Sequence, residues 1–429
     1  MSAPPKTALL AQWGAAGYVG VVSMGLSFVL GRLLGPQGFG DYSALLTLGA
    51  LFAIVQDGGF KTLLYREGAR PSPDIAASLP ELQGRATRHV VLVTVLGAAL
   101  CLPTPAPYGW HAAVALVCLS LQTTCVFVSA SLRAKGDFHA DAVWQSAYRT
   151  ASAVGIVGVL LLGASGAPWL VFAGWGLGLA PMLVMMRRHL GPRHLGRQRT
   201  GRRMRRSLFT ACVAFMAVDA ATAIYYRCDI LLLRHLGSGA AETGQYAAAY
   251  RFLDGIILLA APVGVVCFRT LRQCMDAPRA FLRLLAGVSL ALAGAGGILL
   301  ALGVPLAAPL VRLTFGPGYD EAARLLPLLL AALLFILPSG LLTQAAIALN
   351  IERFYAACAA GAAIMNIALN ILLIPDLGAH GAAYATIATE AALMTALLGG
   401  LARRLRRIAA THHASSHKDA SCPDHNASS

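Results

Sequence analysis

Charge is scarce in this chain. Only 12% of its 429 residues are Asp, Glu, Lys or Arg, where a soluble domain carries about 25%. So little charge cannot coat a water-facing surface, which excludes an ordinary soluble enzyme or binding module. Paired cysteines are also missing. The nine cysteines include Cys101, Cys118, Cys125, Cys212, Cys267, Cys274 and Cys358, in or at the ends of apolar runs. No CxxC and no Cys/His cluster occurs, so neither a zinc site nor a disulfide framework is indicated. A nucleotide-binding motif is absent too, which argues against direct drive by ATP.

What fills the chain instead is apolar residue, at 57%, with a mean hydropathy of +0.66. Apolar runs of about 20 residues, enough to cross a bilayer core about 30 Å thick, recur from end to end. The pattern predicts twelve spans near 8–30, 41–62, 88–107, 110–132, 141–163, 167–186, 208–229, 242–267, 283–313, 321–347, 354–374 and 381–402. The run from Ala8 to Leu30 is too long for the core of a signal peptide and lacks a small-residue cleavage site, so it counts as the first span.

The formal charge of +15 invites a nucleic-acid reading, and its distribution rejects one. The basic residues cluster in alternate loops: Lys61, Arg66, Arg70, Arg85 and Arg88; Arg133 and Lys135; Arg187 to Arg206; Arg269, Arg272, Arg279 and Arg283; Arg353; and Arg403 to Arg407. With both termini in the cytoplasm, these are all inside, as the positive-inside rule requires. The opposite loops hold only Arg32, Arg234, Arg312 and Arg324. The expected organisation is a six-helix lobe over 1–186, a basic linker over 187–207, a second six-helix lobe over 208–402 and a disordered tail over 403–429.

The two halves repeat. Arg32-Leu-Leu-Gly35 … Gly40-Asp-Tyr42 matches Arg234-His-Leu-Gly237 … Gly244-Gln-Tyr246, and Leu162-Gly-Ala-Ser-Gly-Ala matches Leu377-Gly-Ala-His-Gly-Ala. Leu132-Arg-Ala-Lys and Leu349-Asn-Ile-Glu correspond more weakly. All fall six spans apart, an even number, so the repeat is parallel, with a site expected between lobes. The short glycine-containing links read as tight hairpins.

Five ionisable residues fall deep within spans: Arg149, Asp219, Arg251, Asp254 and Glu390. Each costs about 2.5–3.5 kcal/mol at a helix centre, so each must face a cavity or a partner. Arg251 and Asp254 are three apart and can pair on one helical face; Asp219 could also serve Arg251. Arg149 has no acid near it on its own span and stands as the candidate anion site. Glu390 is the candidate protonatable coupling group, with Asp219 and Asp254 as further ion-coupling candidates. Asn366 and Asn370 place two amides on one face, either lining the cavity or bonding a neighbouring helix. Tyr246 and Tyr250 lie on one side of span eight, lining the cavity or packing. Arg227 and Asp229, and Asp57 and Lys61, read as interfacial.

The sequence resembles the bacterial polysaccharide transporters, or Wzx-type oligosaccharide flippases, of the multidrug/oligosaccharidyl-lipid/polysaccharide (MOP) exporter superfamily. The similar stretches are Gly31-Arg-Leu-Leu-Gly-Pro-Gln-Gly-Phe-Gly-Asp-Tyr42, Gln56-Asp-Gly-Gly-Phe60 and Cys228-Asp-Ile-Leu-Leu-Leu233. They continue with Gly244-Gln-Tyr-Ala-Ala-Ala-Tyr-Arg251, Leu313-Thr-Phe-Gly-Pro-Gly-Tyr319 and Asn370-Ile-Leu-Leu-Ile-Pro-Asp-Leu-Gly-Ala-His-Gly-Ala-Ala-Tyr384. The resemblance implies two lobes around a cationic cavity that move undecaprenyl-diphosphate-linked sugar units to the periplasmic leaflet of the inner membrane. Polymerases and glycosyltransferases would be partners, and no cofactor is implied. Proton or sodium coupling and drive by membrane potential alone both stay open. Substrate-binding candidates are then Arg149, Arg251, Tyr250, Asn366 and Asn370. The rival readings are a peptidoglycan-precursor flippase, which would have fourteen spans, a drug/cation exporter, which would need an acidic, aromatic-lined cavity, and a membrane glycosyltransferase or polymerase, which would need a larger outer loop.

Overall fold

The computed structural model describes residues 6–69, 79–104, 108–162, 167–190, 202–275 and 277–419. Among them every regular element is a helix. The N-terminal half comprises α1 (Lys6–Asp57), α2 (Phe60–Ala69), α3 (Leu79–Cys101), α4 (Gly109–Ala134), α5 (Phe138–Leu161) and α6 (Pro168–Leu190). The C-terminal half comprises α7 (Arg202–Leu236), α8 (Ala240–Gln273), α9 (Pro278–Thr314), α10 (Asp320–Ala348) and α11 (Glu352–Asp419). Eight of these helices are long and apolar enough to cross a membrane, by length and composition. The chain is a multi-pass membrane protein.

Two of the eight supply 48 and 57 residues, more than twice what one crossing takes. Each is two helices joined at a glycine with positive φ, Gly35 in α1 and Gly378 in α11, a conformation that other residues resist. The chain reverses at both. Gln12, near the start of α1, donates to Phe138 O and Asp141 at the start of α5. Leu63, just past its end, packs with Phe127 near the end of α4. In α11 a Cβ on Gly400 would strike the ring of Phe354, which puts residues at nearly equal distances before and after Gly378 side by side. The expected hairpins are thus present, but the links expected over 31–40 and 375–380 shrink to single glycines.

Three further differences have local causes. The second span stops at Asp57 because Gly58 and Gly59 both take positive φ; the Asp57 carboxylate then accepts from the Gly59 and Lys61 amides and starts α2. The weak match at 132 and 349 is out of register. Gly136 and Asn350 have positive φ, and each ends its helix with the same pair of bonds, Gly136 N to Arg133 O with Asp137 N to Leu132 O, and Asn350 N to Ile347 O with Ile351 N to Ala346 O. Both are Schellman caps, so Leu132 corresponds to Ala346 rather than Leu349. Lastly, the tail expected to be disordered from 403 continues α11 as helix to Asp419; 420–429, and 191–201 of the basic linker, lie outside the described residues.

The bundle has two ends. One, the linker end, gathers Gln12, Lys61 and the α4–α5 junction; the other, the hairpin end, gathers Gly35, Gly378 and the α7–α8 and α9–α10 junctions. The halves meet chiefly along α1 and α8.

Candidate functional site

At the hairpin end the halves touch directly. A Cβ on Gly40 would run into the carbonyl oxygen of Ala240, and one on Gly244 into that of Pro36. Gly40 and Gly244 are equivalent positions of the repeat, as are Pro36 and Ala240, so the contact is reciprocal, in the manner of a twofold interface. Small residues let the two backbones meet. Around this point Arg234 reaches Asp41 at 2.9 Å, Tyr319 donates to Gly31 O at 2.8 Å, and Arg32 donates to Thr314 O at 2.9 Å and to Leu313 O. Phe39, Phe315 and Tyr319 pack ring on ring, with centroids 5.2–6.5 Å apart.

Among the described residues the linker end is joined more thinly. Lys61 pairs with Asp219 at 3.1 Å, both about one-third exposed. The guanidinium of Arg66 lies over Phe215 at 5.4 Å, and Gly59 abuts Cys212 O.

Between the two sets of contacts lies a cavity of about 480 Å³, lined by α1 (Ala50, Ile54), α2 (Lys61), α7 (Asp219, Ala223, Tyr226, Arg227, Ile230) and α8 (Ala247, Tyr250, Arg251, Asp254, Ile257). Three basic side chains, Lys61, Arg227 and Arg251, face it with two acidic ones, Asp219 and Asp254. Lys61 and Asp219 neutralise each other, as do Arg251 and Asp254 at 3.1 Å. Among the described residues Arg227 forms no ion pair, which leaves the cavity net positive. Arg251 is largely buried and its Nε has no hydrogen-bond partner. A net-positive lining can hold an anionic group such as a phosphate through charge-assisted hydrogen bonds.

The structure redistributes the expected site residues. Arg251 and Tyr250 line the cavity. Arg149 does not: its guanidinium stacks over the Trp175 ring at 5.4 Å, behind Tyr42, which stands within electrostatic reach of both Arg149 and Arg251. Asn366 and Asn370 are 5% and 0% exposed and line no described cavity. Asn370 Nδ2 donates to Asn366 O and Oδ1, and the Cys228 thiol donates to the same Oδ1, so these amides bind α11 to α7. Asp219 serves Lys61 rather than Arg251. Tyr246 is fully buried and donates to Asp229 at 2.6 Å; Asp229, expected to snorkel, is only 5% exposed. Arg227 and Lys61, expected at interfaces, are the cavity residues that sequence reasoning missed. Glu390 accepts from Tyr225 at 2.5 Å and lines a separate chamber within the C-terminal half. Of the three carboxylates expected to couple ions, it alone has no basic partner among the described residues.

The family model described as polysaccharide biosynthesis protein matches residues 9–274, well over half of the chain. The chain belongs to this family. A search of curated proteins returns no match. Among solved structures, this polysaccharide biosynthesis protein is similar to the lipid II flippase MurJ in an inward closed conformation, at 13% identity and a TM-score of 0.67, covering 93% of this chain and 90% of that one. An outward-facing multidrug resistance MATE family transporter gives 12% identity and 0.59, over 95% and 97%. A MOP superfamily transporter from Pyrococcus furiosus gives 12% and 0.55, over 95% and 99%. At such identities the likeness establishes the fold, which is that of the MOP superfamily.

Proposed function

We propose that the protein translocates polyprenyl-diphosphate-linked oligosaccharide units across the bacterial inner membrane by alternating access, from the cytoplasmic to the periplasmic leaflet, for surface polysaccharide assembly. It acts as a transporter and not as an enzyme. The linker end faces the cytoplasm, in keeping with its basic loops.

The observation that carries this reading is the net-positive cavity between the halves, where Arg227 forms no ion pair among the described residues. A diphosphate entering low dielectric loses hydration, and an unpaired guanidinium offsets that cost where a neutral lining could not. Arg251, held by Asp254, lines the same cavity, and Tyr250 supplies a hydroxyl beside it. Family membership supports the sugar, and the MOP fold supports movement of one half against the other. An inside-negative potential favours outward passage of an anion by about 2.3 kcal/mol per charge per 100 mV. Glycosyltransferases that build the unit and a polymerase that consumes it would be the functional neighbours.

The deciding experiment is flipping of a polyprenyl-diphosphate-linked oligosaccharide in proteoliposomes under an imposed potential. Wild type should move the lipid, and folded Arg227→Ala and Arg251→Ala should move it at least tenfold more slowly. Transport by both variants at the wild-type rate would remove the cavity from the proposal. Failure of the wild type, with the lipid made by its own glycosyltransferases, would remove the function.

A further inference from the structure

A second chamber, of about 370 Å³, lies inside the C-terminal half and is walled by α7, α8, α9, α10 and α11. It shares only Tyr226 and Ile257 with the charged cavity. Most of its wall is apolar, with Leu292, Ile336 and Leu393 among the contributors, and Ser339, Thr343 and Gln344 add neutral polar groups. One corner differs. There Glu390 accepts the Tyr225 hydroxyl, the rings of Tyr225 and Tyr226 meet edge to face at 4.9 Å, and Tyr355 completes an aromatic wall.

Glu390 is 6% exposed, and among the described residues no Lys, Arg or His lines the chamber. A carboxylate withdrawn from water needs a countercharge or a proton. The described residues supply no countercharge here, although they do so for Asp219 and Asp254 next door. Ring faces attract cations, best when both are desolvated, and the apolar wall suits the organic substituents of a weakly hydrated ion. A small hard cation would instead ask for a shell of oxygens, and one carboxylate beside rings and aliphatic side chains is a poor match.

We propose that this chamber binds a lipophilic monovalent organic cation, of the quaternary ammonium or phosphonium class, with Glu390 as countercharge and Tyr225, Tyr226 and Tyr355 as its aromatic wall. Tyr226, which is half exposed, borders both this chamber and the charged cavity. The site is independent of the lipid-linked sugar: it stands or falls on the chamber alone.

The test is saturable binding of radiolabelled tetraphenylphosphonium to the full-length protein in lipid nanodiscs. Wild type should bind, and Glu390→Gln, which keeps the shape and removes the charge, should bind at least tenfold more weakly. Gly340→Leu is the second variant. Gly340 lines the chamber, and a Cβ there meets nothing within 4 Å, so the leucine fills the space while Glu390 stays. It too should lose binding. Absence of saturable binding to wild type, the outcome if a proton is the only occupant, overturns the proposal. So does wild-type affinity in either folded variant.

Discussion

Replacing Gly40 by alanine should loosen the hairpin end, and replacing Gly244 should do so equally. The added methyl at either position would overlap a carbonyl oxygen of the other half, that of Ala240 or of Pro36. Backbone cannot swing aside as a flexible side chain can, so α1 and α8 must separate. Overpacking of this kind costs about 1–3 kcal/mol. Charged to one conformation of a two-state protein, it shifts the equilibrium about 5- to 150-fold away from that conformation. The surrounding contacts, Arg234 with Asp41 and Tyr319 with Gly31, are weakened but not removed, so the protein should stay folded. Spin labels at Leu162 and Leu377, exposed hairpin-end residues of opposite halves, would report the change by pulsed electron paramagnetic resonance. Wild type should give one dominant distance; each variant should populate a longer one. Because both methyls break one reciprocal contact, the double variant should add little to either single one. A wild-type distance distribution in Gly40→Ala, or an effect from only one of the two glycines, would refute the symmetric contact.

Arg149→Ala should slow flipping much less than Arg227→Ala, since Arg149 lies against Trp175 and not on the cavity wall; equal losses in initial-rate assays would reverse that ranking. Asn370→Ala should lower thermal stability in detergent by about 1–3 kcal/mol, the cost of a broken buried hydrogen bond, with the apparent substrate affinity unchanged; a shift in affinity at unchanged stability would return Asn370 to the site. Tyr246→Phe should cost about as much, because it strips Asp229 of a buried donor, and calorimetry or a thermal-shift series would read it.

The sequence carried the repeat, and with it the positions where the halves meet. Gly40 and Gly244 stand out as equivalent glycines from the repeat alone. That they face each other was not legible, because equivalence under a repeat does not say which copies lie on the axis. Depth in the membrane was legible as a residue count, and helix face was not. Asp229 sits at the end of its predicted span and reads as interfacial, yet it points inward to Tyr246. Arg227, two residues earlier, turns to the cavity. Arg149 has no acid near it on its own helix, as counted, but its partner is an aromatic ring on α6, which no charge inventory can find. Lys61 and Asp219 are 158 residues apart, and their pairing follows from the packing of α2 on α7 alone. The Leu349 match failed by three residues because helix C-caps are set by which residue accepts positive φ, Gly136 in one half and Asn350 in the other, and not by the apolar residues around it.

The two ends of the cavity differ in strength, and on the proposed cycle that difference has a direction. The hairpin end is closed by a backbone contact, a largely buried ion pair, tyrosine and arginine bonds to carbonyls, and a ring cluster. Among the described residues the linker end is closed by one ion pair between groups about one-third exposed, worth about 0.2–1 kcal/mol, an exposed cation–π contact worth about 0.5–1 kcal/mol, and the approach of Gly59 to Cys212. The linker end therefore yields first. A diphosphate arriving there competes with Asp219 for Lys61, so the anion itself loosens the bridge that bars it, and it meets Arg227 and Arg251 only after passing that point. At the hairpin end the exposed cation that crosses between the halves, Arg32, is held by the Thr314 and Leu313 carbonyls rather than by a carboxylate. Opening that end needs the halves to rock about the α1–α8 contact, and the cationic lining gives a bound anion the means to draw both halves together around it.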